Sequence, residues 1–192
     1  CKFYNNSASD RGNAIFFSKV NSTISIMHSE FIDNYIQSNN NEFNIVLNTS
    51  EIFIDDIEIS CSSDNSSIYT SGGIELTKRP SINGIRIQNS TFRKTMSASK
   101  GYNKCNGTIF YHPDEVIHAN DKLFIEECKF IEVFGAIYYA PTRISNYDSQ
   151  FIVKGCRFES CVQITIHITV PTSSEERVHI VDCSFIDCKR KE

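Results

Sequence analysis

The 192-residue sequence predicts an all-β protein built as one right-handed parallel β-helix, a solenoid of about seven coils of roughly 28 residues with three short strands each. Three observations predict it. A short motif recurs down the chain with the same residue classes in register, and a further apolar stretch follows most copies. The composition is rich in Asn, Ser, Ile and Phe, poor in Ala and Leu, and without Trp, which favours strands and polar turns over long helices.

In chain order, residues 1–3 are the tail of a first motif. Residues 24–31, 52–59, 85–92, 123–130, 151–158 and 178–185 are complete copies. Each ends on an aromatic or aliphatic anchor: Phe3, Phe31, Ile59, Phe92, Phe130, Phe158 and Phe185, separated by 28, 28, 33, 38, 28 and 27 residues. Seven before the anchor stand Ile24, Ile52, Ile85, Leu123, Phe151 and Val178; five before stand Ile26, Ile54, Ile87, Ile125, Val153 and Ile180. Apolar residues two apart share one face of a strand. Three before the anchor come His28, Asp56, Asn89, Glu127, Gly155 and Asp182, where the Gly, Asn and Asp suit a bend with positive φ. Cys1, Ser29, Ile57, Ser90, Cys128, Cys156 and Cys183 follow, on the anchor's face. Each unit therefore reads strand, bend, strand.

A third strand is predicted at 13–16, 43–47, 73–76, 108–111, 136–139 and 163–166, with Gly12, Gly73, Gly107 and Gly135 near the start of several. A β-sandwich does not require one residue class in register seven times. A leucine-rich repeat would carry asparagine and leucine at fixed spacing and a helical half, neither of which is present.

Phe3-Tyr-Asn-Asn6 and Phe31-Ile-Asp-Asn34 form one recurrent tetrapeptide. Gly12-Asn-Ala-Ile15, Phe134-Gly-Ala-Ile137 and Gly72-Gly-Ile-Glu75 form another. Together they resemble the Phe-x-x-Asn and Gly-Gly-Ala-Ile repeats of chlamydial polymorphic membrane proteins and of similar surface proteins of some protists. In the later repeats Val133, Cys161 and Cys188 replace the asparagine. The resemblance implies an exposed adhesin or structural surface component.

Charge and hydropathy narrow the roles. A net charge of −4 opposes binding to duplex nucleic acid. No apolar run of about 18 residues occurs, so no direct membrane insertion by this segment is expected. The chain starts at Cys1 and ends in Lys189-Arg-Lys-Glu192, so residues 1–192 read as a single domain cut from a longer repeat protein. The sequence thus leads to a non-catalytic extracellular or cell-surface scaffold acting in adhesion or filament assembly. Its partners would be a protein or glycan on a host or neighbouring cell, or copies of itself end to end. No cofactor, metal or catalytic site is assigned. The alternative is a carbohydrate-active enzyme, of polysaccharide lyase or glycoside hydrolase type.

Cys128, Cys156 and Cys183 share one column and Cys161 and Cys188 another, which suits small stacked core residues. Disulfides within a repeat or between repeats stay open, as pairing depends on geometry. Asn5, Asn21, Asn48, Asn65, Asn89 and Asn106 head N-glycosylation sequons. His112, His118, His167 and His179 are scattered. An enzyme would need carboxylates converging across adjacent coils; the nearest are Asp55, Asp56, Glu127 and Asp182, and a turn preference explains them more simply. Loops at 33–42, 60–72, 93–107, 140–150 and 168–177 are the places for binding, and 93–107 carries Arg93, Lys94, Lys100 and Lys104.

Overall fold

A computed structural model describes residues 1–8, 14–18, 22–36, 43–62, 72–81, 83–95, 108–113, 116–117, 121–141, 143–144, 150–162, 165–169 and 177–189. The chain is all-β, with its strands in two main sheets and two short pairs. Among the described residues every strand pair is parallel.

The larger sheet holds 11 strands. Ile24–Ile32 and Ile52–Ser60 are nine residues long and pair along both halves. Ile85–Gln88, Lys122–Glu126, Gln150–Lys154 and Arg177–Val181 extend the first half in that order. Thr91–Arg93, Lys129–Ile131, Arg157–Glu159 and Ser184–Ile186 extend the second. Lys2–Tyr4 joins the second half of Ile24–Ile32. The smaller sheet runs Ile15–Phe17, Phe43–Leu47, Gly72–Leu76, Ile109–Tyr111, Ile137–Tyr139 and Ile166–Ile168.

The repeat sets the register. Ile26, Ile54, Ile87, Ile125, Val153 and Ile180 stand opposite one another on successive strands. The anchors do the same from Phe3 to Phe185. Their rings stack at 4.7 Å for Phe3–Phe31, 5.0 Å for Phe92–Phe130 and Phe130–Phe158, and 4.8 Å for Phe158–Phe185. A fully buried Phe contributes about 1.5–3 kcal/mol through removal of its surface from water, before any stacking gain. Inward residues of both sheets form one hydrophobic cluster, and the Tyr139 ring stacks on Phe151 at 4.3 Å, joining the sheets.

Left-handed residues turn the chain. His28, Asp56, Asn89, Glu127, Gly155 and Asp182 all have φ between 50° and 62°. This is the bend column read from the sequence. In the two long strands, pairing continues across His28 and Asp56, so strand, bend and strand share one sheet. A second left-handed set, two residues past the anchor, comprises Asn5, Asp33, Lys94, Glu132, Ser160 and Asp187. The sequence did not announce it, because Lys, Glu and Ser carry no turn signal of that kind.

Five of the expected third strands lie within two residues of their predicted bounds. The last is displaced. The structure pairs Ile166 with Ile137, where the 163–166 prediction aligned Ile164 with it. A two-residue slip preserves which side chains point inward, so alternation could not separate the two registers. Two short pairs were also not foreseen: Ser7–Ala8 with Tyr35–Ile36, and Val116–Ile117 with Arg143–Ile144.

Candidate functional site

Outward-facing side chains of the smaller sheet form an aromatic stripe. Alternation sends Phe16, Val46, Glu75, Phe110, Tyr138 and His167 outward in register, between inward-facing neighbours. Phe110 and Tyr138 have ring centroids 4.9 Å apart, and Tyr138 and His167 are 4.7 Å apart. His112 packs on Phe110 at 4.3 Å and meets Glu75 Oε1 through Nε2 at 2.8 Å. Phe110, His112, Tyr138 and His167 are half-buried, whereas Glu75 is buried. The sequence located the strands of Phe110 and Tyr138 without singling out either ring, and it named His167 only as one of four scattered histidines. Part of the signal was available, an aromatic at the same strand position in two successive repeats, and the two-residue slip of the next strand hid the third. His112 and His167, scattered in sequence, both belong to this stripe.

The larger sheet offers a second outward column of Ser25, Phe53, Arg86, Phe124, Ile152 and His179. The Arg86 guanidinium lies 4.4 Å from the centroid of the Phe124 ring and pairs with Glu126. Cation–π contact and ion pair together fix this arginine in place.

The carboxylates do not converge. Asp56 Oδ2 meets His28 Nδ1 at 2.8 Å on the exposed bend edge. Asp55 Oδ1 accepts from Asn89 Nδ2 at 2.9 Å and Gln88 Nε2 at 3.3 Å. Glu127 is exposed, lying where a Cβ on Gly155 would fall. Asp182 is exposed two strands further along. Among the described residues no group of three or more His, Cys, Asp or Glu is placed to hold a metal ion. No helix there is long and apolar enough to cross a membrane.

The thiols form two files. Cys128, Cys156 and Cys183 flank the in-register pairs Lys129–Arg157 and Arg157–Ser184, and Cys161 and Cys188 flank the Val162–Lys189 bridge. All five are free thiols; Cys128, Cys156 and Cys161 are buried, and Cys183 and Cys188 are half-buried. Each thiol lies within reach of two backbone carbonyls that can accept its proton, as Cys156 does of Lys154 O at 3.4 Å and Ile125 O at 3.5 Å. Ser29 and Ser90 make the same bond to the carbonyl two residues back, at 2.9 Å and 2.7 Å. Burial pushes the Cys128 thiol well above its ordinary value and Cys161 to about 12. A hydrogen bond from Cys128 holds Cys156 below its ordinary value. An open depression lined by Ser160, Cys161, Val162, Asp187 and Lys189 lies over the second file.

Of the sequon asparagines, Asn5 and Asn89 are exposed at left-handed bends. Asn48 is half-buried and donates from Nδ2 to Thr77 Oγ1 at 2.9 Å. Asn21, Asn65 and Asn106 lie outside the described residues, as do His118, Lys100 and Lys104. Lys94 is buried and reaches Glu132 at 3.7 Å, so it does not project from a loop.

Comparison with protein-family models, curated proteins and solved structures finds no match.

Proposed function

We propose that the chain is a right-handed parallel β-helix that serves an extracellular or cell-surface protein as a non-catalytic scaffold for adhesion. One observation carries the reading: every repeat places the same inward column in register with the next. A rigid ladder of this kind keeps its outward side chains at fixed spacing along its length. The aromatic stripe of Phe110, Tyr138 and His167 is the surface best suited to a protein or glycan on a host or neighbouring cell, because half-exposed rings bury much area with few rotamers to fix. Exposed sequons at Asn5 and Asn89 fit passage through a eukaryotic secretory route. The likeness to polymorphic membrane protein repeats points the same way.

Binding of the purified chain to a glycan array and to intact cells tests this. Retention that falls at least tenfold in the double variant Phe110→Ser and Tyr138→Ser supports the scaffold reading. Release of new reducing or unsaturated sugar ends from acidic polysaccharides would replace it with the carbohydrate-active enzyme.

End-to-end assembly is a second role for the same scaffold, because strands that stack in register along one direction can go on pairing with strands of another copy. Sedimentation across a wide concentration range distinguishes it: a growing series of sizes supports filaments, and one constant species removes them.

A further inference from the structure

The geometry points to the two thiol files as a site of disulfide modification, in which a low-molecular-weight disulfide oxidises Cys156 with Cys183 and Cys161 with Cys188, stapling neighbouring strands. The argument begins with register. Arg157 stands opposite Ser184, and Ser184 N donates to Cys156 O at 2.9 Å, so Cys156 and Cys183 are neighbours across the ladder. Lys189 N donates to Cys161 O at 2.9 Å, which sets Cys161 beside Cys188. Adjacent strands lie about 4.8 Å apart, within the roughly 4.4–6.8 Å Cα separation that a cystine spans. The side chains sit alike on one face as well: the Cys156 and Cys183 thiols reach the carbonyl oxygens of Ile125 at 3.5 Å and Val153 at 3.6 Å, and those of Cys161 and Cys188 reach Phe130 O at 3.5 Å and Phe158 O at 3.6 Å. The within-repeat pairs Cys156–Cys161 and Cys183–Cys188 sit in different columns, and this geometry disfavours them.

Access gives the order of events, since partial burial holds the Cys183 thiol above its ordinary value and its exposure alone makes it the first to react. Cys183 and Cys188 are half-exposed, and the open depression beside Cys161, whose lining carries both Lys189 and Asp187, gives a disulfide such as oxidised glutathione a way to the second pair. Cys183 loses its proton and its thiolate attacks one sulfur of that disulfide. The S–S bond breaks, and the departing glutathione thiolate takes up the proton. Cys156, its thiolate favoured by the Cys128 hydrogen bond, then attacks the Cys183 sulfur and expels the second glutathione, again with transfer of one proton. Two protein thiols are oxidised and one glutathione disulfide is reduced to two thiols. Cys188 and Cys161 follow the same two steps, the second more slowly because burial pushes the Cys161 thiol to about 12, and Cys128 keeps its thiol.

The test uses the full chain, reduced and then incubated with oxidised glutathione. Four hydrogens should be lost by intact mass. Cleavage at Arg157, at Arg177 and at Asp187 separates the four cysteines, and the linked peptides should join Cys156 to Cys183 and Cys161 to Cys188. Serine already stands at Ser29 and Ser90 in the first file and at Ser62 in the second, so Cys156→Ser and Cys161→Ser suit the fold. Each variant should trap a stable glutathione adduct, on Cys183 and on Cys188 respectively. Links within a repeat, links to other cysteines, or thiols that all stay free would overturn the proposal, as would variants that carry no adduct. Circular dichroism of each variant confirms that a missing adduct is not a missing fold.

Discussion

Asn34 shows why a short motif can hold a large structure together. It is fully buried, and its Oδ1 accepts from Asn6 N at 2.9 Å and from Asn6 Nδ2 at 3.0 Å. Its Nδ2 donates to Asn44 Oδ1 at 2.7 Å, and Asn44 donates in turn to Gly72 O at 3.0 Å. The asparagine of Phe-x-x-Asn thus ties the larger sheet to the smaller one. Asn34→Ala removes the acceptor of Asn6 N–H and a donor to Asn44 Oδ1, and should destabilise the chain by about 1–3 kcal/mol in urea unfolding. Further along, Thr95 Oγ1 and Thr108 Oγ1 take over the link at 2.6 Å, which the tetrapeptide pattern alone did not reveal. The left-handed residues divide in the same way. Gly155 and Asn89 were readable as bends, but Ser160 at φ 51° was not. An L-residue in that conformation is disfavoured by about 1–2 kcal/mol, partly offset by the extra freedom glycine has when unfolded. Ser160→Gly should therefore raise stability by about 0.5–1 kcal/mol, whereas Ser160→Val should lower it.

Strands are held to their neighbours by polar links outside the core as well as by packing. Glu51, just ahead of strand Ile52–Ser60, accepts from Thr23 Oγ1 at 2.7 Å on one side. On the other it accepts from Ser81 Oγ at 3.0 Å and Asn83 Nδ2 at 2.9 Å. These three donors, Thr23 foremost, hold its carboxyl below the ordinary value of 4.5. The folded form therefore favours the carboxylate more than the unfolded chain does. Its stabilisation is fully present above about pH 4.5 and is lost as pH falls through the lowered value. Glu51→Gln has no such titration. The gap between parent and variant in urea midpoint should be widest above that pH and close below it; a gap independent of pH would show that the charge plays no part. Apolar alternation located this strand and its neighbours, but Glu51 carries no periodic signal, and its partners are set by contacts between repeats of unequal length. The same inequality explains the slip at Ile166–Ile168, where both registers bury alternate isoleucines.

The two sheets share one interior, yet its protection is uneven along the ladder. Phe130 is fully buried, with Phe92 and Phe158 stacked on its two faces, while Phe185 meets Phe158 on one face and is half-exposed. The sequence gives both the same anchor position and cannot distinguish them; only their place in the ladder does. Phe130→Ala opens a cavity that its neighbours cannot fill without leaving their own columns, and should cost about 3–5 kcal/mol. Phe185→Ala removes a ring that water already reaches, and should cost less than about half as much. In a stack where each repeat touches only those beside it, the first change must also divide the molecule, because cooperativity passes through neighbouring interfaces alone. Hydrogen exchange on Phe130→Ala should accordingly accelerate on both sides of Lys129–Ile131, in Thr91–Arg93 and in Arg157–Glu159, while Phe43–Leu47 keeps its protection. Uniform acceleration over every strand would instead mean that the chain opens as one unit, and the nearest-neighbour ladder would lose its physical basis.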